Sequence, residues 1–193
     1  MFIEAILVSI VIGLIRGGKL RRLRYLNYKN MWILISGIAI QYMLIFLSGL
    51  DGLDIVNNIM LFTKEIQILS YALILFGIIT NIKYKSLWLI LAGYFMNFIV
   101  IWRNGWKMPI LLEAVPLIAM PSLKEMVETG RALYTPITQG TKLPALGNII
   151  VFADPYPIAK IISMGDLIVG FGVFILIQEI MLGKDSFMRR RKA

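Results

Sequence analysis

The segment that decides the fold is Asn104–Ser163, which reads NGWKMPILLEAVPLIAMPSLKEMVETGRALYTPITQGTKLPALGNIIVFADPYPIAKIIS. Four apolar runs precede it in the chain and one follows it. The segment has too many polar and proline residues for a transmembrane helix, and too many apolar residues for an ordinary solvated tail. We therefore predict that it forms the working surface of a membrane protein.

The composition is that of an integral membrane protein. Of the 193 residues, 59% are hydrophobic and only 16% are charged, whereas about a quarter are charged in a typical soluble domain. The net charge is +9, but the basic residues cluster beside the apolar runs, where the positive-inside rule expects them. We therefore predict one membrane domain over residues 1–193, and no nucleic-acid partner.

The chain contains no Cys and no His. This absence excludes disulfides, Cys nucleophiles, Ser–His dyads and His-ligated metals. Any chemistry would have to use carboxylates, Lys, Tyr, Ser or Thr, or a bound cofactor. We expect no metal and no cofactor.

The apolar runs predict an all-α bundle of five transmembrane helices, at about residues 2–15, 31–50, 66–82, 87–103 and 164–182. Basic clusters follow the first, third and fifth runs. The positive-inside rule then predicts an outer N-terminus, an outer loop over residues 104–163 and a basic cytoplasmic tail at 183–193. A four-span arrangement without the first helix would place Met1 inside. The expected location is the bacterial cytoplasmic membrane.

The outer loop has its own predicted substructure. Residues 108–119 are apolar but contain Pro109 and Pro116, so we expect them to lie in the interface or to re-enter the membrane. The pattern Ser122-x-x-Glu125 resembles a capping box and predicts a short helix.

Two aspartates are the candidate catalytic residues. Asp166 lies at the outer end of the last predicted span, where partial desolvation favours a functional role, but capping of that helix explains it equally well. Asp154 lies before a Pro-Tyr-Pro turn that could bring it back to Asp166, so that the two carboxylates share a proton and activate water. A simple Asx turn is the favoured alternative for Asp154.

Further polar residues are candidates for ligand binding. Arg103 and Lys107 lie one helical turn apart and could hold a phosphate or carboxylate, although interfacial snorkelling explains them as well. Glu113 lies in an apolar setting and could pair with one of these cations. The full set of candidates is Asn97, Arg103, Asn104, Lys107, Glu113, Lys142 and Asn148.

Two resemblances extend this interpretation. The segments Asn104–Pro109, Thr141–Asn148 and Ser163–Asp166 resemble an uncharacterised family of bacterial multi-span membrane proteins, which implies a topology and no activity. Gly147-Asn148, Asp154 and Asp166 resemble, more loosely, the order of motifs in lipoprotein signal peptidase. That resemblance implies an aspartyl-type hydrolase, but the Arg that normally follows the Gly-Asn motif is missing.

Three functions remain open. We favour a protein that binds or transports a small or lipid-linked ligand at its outer face. The alternatives are an intramembrane hydrolase that uses Asp154 and Asp166, and a scaffold for another membrane protein. The expected partners are the lipid bilayer, with anionic headgroups at the basic loop 16–30, and a membrane-protein partner in the scaffold case.

Overall fold

The computed structural model describes residues 2–25, 31–48, 50, 54–81, 84–118, 121–128, 133–157 and 159–183. In this part of the chain the α-helices are α1 (Phe2–Ile15), α2 (Met31–Ser48), α3 (Asp54–Met60), α4 (Thr63–Ile79), α5 (Ser86–Arg103), α6 (Pro121–Glu128) and α7 (Met164–Leu182). The strands are β1 (Met108–Ile110), β2 (Tyr134–Pro136), β3 (Asn148–Phe152) and β4 (Lys160–Ser163). Short 3-10 helices cover Leu20–Tyr25, Leu112–Ile118 and Pro144–Leu146.

The protein is mostly helical, and its five long helices lie where the sequence predicts helices. Two of them, α5 and α7, are long and apolar enough to cross a membrane, as judged by length and composition. The apolar helices Glu4–Ile15 and Trp32–Ser48 are shorter. Part of the predicted basic loop, residues 26–30, and nearly all of the predicted tail, residues 184–193, lie outside the described residues.

The long helices pack as two groups. Helix α7 lies between α1 and α5, whereas α2 pairs with α4. Glycines let the backbones approach closely within each group. A Cβ atom on Gly93 of α5 would lie 2.5 Å from the carbonyl oxygen of Gly165 on α7, and one on Gly77 of α4 would lie 2.7 Å from Cβ of Leu34 on α2.

A small mixed sheet corrects the all-α prediction. Its strand order is β2-β1-β3-β4, with β1 parallel to both β2 and β3, and β3 antiparallel to β4. Of the segment 108–119, predicted as interfacial or re-entrant, the structure describes residues 108–118. They contain β1 and a 3-10 helix whose buried side chains contribute to a core under the sheet. The prolines of this loop prevent a long helix, so strand pairing supplies hydrogen bonds to its backbone N–H and C=O groups instead.

The bundle has two chemically different ends. At the sheet end, Lys160 of β4 forms a salt bridge with Glu4 of α1. At the opposite, basic end, Nη1 of Arg22 donates to the Met181 carbonyl at 2.8 Å and Nη1 of Arg16 donates to Oε1 of Gln178 at 3.1 Å. Cations at this end also suit the negative pole of the α7 dipole.

Candidate ligand site

A cavity lies between the two helix groups. It is bounded by the α2–α4 pair and the α5–α7 pair and has a volume of about 740 Å³. Ligand pockets in proteins commonly have volumes of roughly 300–1,000 Å³ and mostly apolar walls. Apolar side chains from all four helices line this cavity, among them Ile38, Ile78, Ile90 and Val173.

The sheet contributes Asn148 and Ile162 to the lining, and polar side chains gather at this end. Asn97 comes from the last two turns of α5 and Asp166 from the first turn of α7. Gln67 comes from the first two turns of α4. The cavity therefore has several polar side chains beneath the sheet and mostly apolar walls toward the basic end, where Asn81 also lines it.

Asp166 is fixed by a hydrogen-bonded network that also begins helix α7. Nδ2 of Asn97 donates to Oδ1 of Asp166 at 2.8 Å, and the backbone N–H of Ser163 donates to Oδ2 at 3.2 Å. The backbone N–H of Asp166 donates in return to Oγ of Ser163 at 2.9 Å, which completes a capping box. Oγ of Ser163 donates to Oδ1 of Asn97 at 2.8 Å. Asp166 thus caps the helix and lines the cavity at the same time.

Two other polar side chains of the lining have an oxygen without a hydrogen bond. Gln67 is 7% exposed and Asn148 is 6% exposed, yet neither Oε1 of Gln67 nor Oδ1 of Asn148 has a partner in the part of the chain that the structure describes. A buried polar atom left unpaired costs roughly 1–3 kcal/mol. Both residues line the cavity, so rotation of either amide would present its buried oxygen to a molecule bound there.

Tyrosines complete the lining at the polar end. The rings of Tyr71 and Tyr94 pack edge to face with centroids 6.1 Å apart, and Tyr71 also contacts Phe98 at 5.4 Å. Burial raises the pKa of the Tyr134 hydroxyl, and the negative charge of Asp166 raises it further. The field of the Asp166 carboxylate therefore reaches the β2 side of the cavity.

Residues 25–178 match the family described as Family of unknown function (DUF5317). The chain belongs to this family. The resemblance to an uncharacterised family is thereby confirmed, whereas the likeness to lipoprotein signal peptidase stays a prediction. No curated protein and no solved structure matches this DUF5317 chain.

Two of the predicted ligand-binding residues, Asn97 and Asn148, line the cavity, and so does the catalytic candidate Asp166. Asn104 serves the loop instead, because its side chain donates to the carbonyls of Val100 and Lys142, each at 2.8 Å, and accepts from the Lys142 N–H at 2.9 Å. The others do not line the cavity; Arg103, Glu113 and Lys142 are exposed, and Lys107 is half-buried.

The structure does not bring Asp154 and Asp166 together. The β3–β4 hairpin pairs Asn148 with Ser163 at one end and Phe152 with Lys160 at the other. Asp154 follows the Phe152 end and is exposed, whereas Asp166 follows the Ser163 end. Because a strand rises about 3.3 Å per residue, these ends lie roughly 13 Å apart. A proton-sharing dyad needs near contact.

The predicted site residues did not include Gln67 or the four tyrosines that line the cavity, Tyr42, Tyr71, Tyr94 and Tyr134. A signal for Gln67 was present, since it is a polar residue near the start of an apolar helix. The tyrosines gave no such signal, because their positions resemble those of ordinary buried aromatic residues. Within the described residues, no group of three or more His, Cys, Asp or Glu side chains is placed to hold a metal ion.

Proposed function

We propose that this protein is a multi-pass protein of the bacterial cytoplasmic membrane that binds a small, largely apolar ligand in the cavity between its two helix groups. The observation that carries the proposal is a cavity of ligand size whose lining includes Gln67 and Asn148, two side chains with buried oxygens that lack hydrogen-bond partners among the described residues. A ligand with a polar head and an apolar body fits this lining. Its head would lie beneath the sheet, at the outer face.

The exposed surface of the helices supports insertion in a bilayer. Large apolar side chains are exposed along α1, α2, α4, α5 and α7, including Val11, Phe46, Phe76, Phe95 and Phe171, each more than half exposed. Soluble monomers rarely expose apolar patches larger than a few hundred Å². A five-span arrangement would bury these side chains in lipid.

The charge distribution supports an outer sheet end. The segments 16–29, 83–85 and 183–193 contain thirteen of the twenty Lys and Arg residues but one of the eleven Asp and Glu residues. By the positive-inside rule this end would face the cytoplasm. There the exposed Lys19 and Arg21 would be available to anionic lipid headgroups.

Cysteine labelling tests the orientation, because the chain has no native Cys. Gln139→Cys lies in an exposed turn near the sheet and Lys85→Cys lies at the basic end. In intact cells we expect a membrane-impermeant maleimide to label Gln139→Cys and to reach Lys85→Cys only after permeabilisation. The reverse pattern, or equal labelling at both sites, would overturn the proposed topology.

Native mass spectrometry of the purified protein tests occupancy of the cavity. Val173→Phe on α7 would fill part of the cavity, whereas Leu167→Phe adds the same ring at an exposed position outside it. We expect a small-molecule adduct on the wild-type protein and on Leu167→Phe, and its loss from Val173→Phe. An adduct retained equally by all three proteins would refute binding in this cavity.

A further inference from the structure

The cavity has one charged side chain in its described lining, the carboxylate of Asp166. The other polar lining residues are Gln, Asn and Tyr, and neither Lys nor Arg is present among the described lining residues. The site therefore carries negative charge without a positive side chain in the lining. A charge held in an apolar cavity is costly unless a partner compensates it.

The partners of Asp166 compensate its charge only in part. Each carboxylate oxygen accepts one hydrogen bond from the described residues, from Asn97 and from the Ser163 backbone. An ionised carboxylate offers about four acceptor positions, so capacity remains. The start of helix α7 contributes a dipole equivalent to roughly half a positive charge, which leaves a net negative site.

The unpaired oxygens of Gln67 and Asn148 also favour a positively charged ligand. Oε1 of Gln67 and Oδ1 of Asn148 are buried hydrogen-bond acceptors without a partner among the described residues, and they would complement a donor on the ligand once turned toward the cavity. An amide can turn its nitrogen toward a ligand acceptor, but Asp166 cannot change in this way while it is ionised. The carboxylate therefore determines which sign of ligand charge is accepted.

Aromatic rings provide a second source of attraction for a cation. Tyr71, Tyr94 and Tyr134 line the cavity together with Asp166. A cation over the face of an aromatic ring is attracted by the negative potential of that face, and the attraction is stronger where water is excluded. An anionic ligand would be repelled by Asp166 and would gain nothing from the ring faces.

We propose that the ligand of this cavity is an organic ammonium ion, a primary amine on an apolar body, whose charged group binds Asp166 beneath the sheet. This inference rests on the proposed function and adds the sign of the ligand's charge. The ammonium would donate to the free capacity of the Asp166 carboxylate and to the oxygens of Gln67 and Asn148.

Three probes of nearly equal size and different charge test the inference: 4-phenylbutylamine, 4-phenylbutan-1-ol and 4-phenylbutyrate. Their affinities are obtained from the rise in unfolding temperature of the full chain in neutral maltoside micelles. We expect the amine to bind at least about tenfold more tightly than the alcohol, and the carboxylate most weakly. Equal affinity of amine and alcohol would overturn the inference.

Variants show whether Asp166 causes the preference. Asp166→Asn should reduce the affinity for the amine to that for the alcohol, whereas Glu113→Gln, which removes an exposed carboxylate outside the cavity, should leave the preference unchanged. An amine preference that survives in Asp166→Asn would overturn the inference. If Asp166→Asn does not fold, the wild-type series decides.

The same data separate this inference from the proposed function. If amine and alcohol bind with equal affinity and Val173→Phe abolishes this binding, the cavity is a site for a neutral ligand. That result would overturn only the inference that the ligand is positively charged. Failure of all three probes to bind, or binding that Val173→Phe does not weaken, would overturn the cavity as a ligand site.

Discussion

Two buried glutamines show how differently the two regions between helices are built. Gln178, 4% exposed, lies where α7 packs on α1; its nitrogen donates to the carbonyl and hydroxyl of Ser9, and its oxygen accepts from Arg16. Gln67, 7% exposed, lines the cavity, and its oxygen has no partner. The amide of Gln178 therefore has partners for both its nitrogen and its oxygen, whereas the oxygen of Gln67 has none among the described residues.

The same contrast distinguishes the glycine contacts from the cavity wall. Between α5 and α7, backbone atoms approach so closely that no added methyl group fits. Between the two helix groups, the sequence supplies side chains that leave about 740 Å³ open. We infer that the α5–α7 contact fixes the position of Asp166, and that the cavity supplies the space for a ligand beside it.

The largest expected effect is that of Gly165→Ala at the α5–α7 contact. The new Cβ would overlap Oδ1 of Asn97 and would lie 2.6 Å from the Gly93 carbonyl oxygen, so the helices must separate. We expect a loss of more than about 3 kcal/mol or no monodisperse protein. Gly140→Ala, whose nearest neighbour is 3.9 Å away, is the control. Equal stability of both variants in thermal unfolding would contradict the close contact.

Gln178→Met should destabilise the protein by about 2–3 kcal/mol. The substitution keeps the length of the side chain but removes its hydrogen bonds, and it leaves the buried hydroxyl of Ser9 with one partner fewer. Chemical unfolding of the purified variant measures the loss. A change below about 0.5 kcal/mol would show that this contact does not depend on its polar network.

Ser163→Ala should cost about 1–2 kcal/mol, because it removes the N-cap of α7 and the hydrogen bond to Asn97. Ser36→Ala on α2 is the matched control, since its exposed hydroxyl donates only to the Trp32 carbonyl. Ser163 does not line the cavity, so Ser163→Ala should lower the free energy of unfolding more than the free energy of ligand binding. An equal effect of the two substitutions would count against the capping network.

Gln67→Met should have the smallest effect on the empty protein, within about 1 kcal/mol of zero and in either direction. No internal hydrogen bond of its oxygen is lost, and an unpaired buried atom is removed. The decisive quantity is the difference from Gln178→Met in the same unfolding assay. A loss of unfolding free energy as large as that of Gln178→Met would mean that Gln67 stabilises the protein itself and is not a ligand-binding residue.

Much of the helical framework was predictable, because long apolar runs reveal helices through length and composition alone. Helix α7 has the predicted bounds, and α4 begins three residues earlier than predicted. The sheet was not predictable in the same way. Strands β1 and β2 have three residues each, contain proline and pair across 23 intervening residues, so no local alternation marks them.

The candidate site was predictable only where a polar residue interrupts or ends an apolar run. Asn97 and Asp166 were selected for that reason, and they hydrogen-bond to each other. The cations Arg103 and Lys107 carried an equally strong sequence signal but do not line the cavity. Which side of a helix faces a cavity depends on packing between distant segments, and periodicity does not reveal it.

The most direct test of the central claim is photolabelling with a neutral aryl-diazirine alcohol, followed by peptide mapping. We expect labels on cavity residues such as Ile38, Tyr94 and Val173, and their loss in Val173→Phe but not in Leu167→Phe. Labels confined to outward-facing residues such as Phe171, and unchanged by Val173→Phe, would contradict a ligand site between the helix groups.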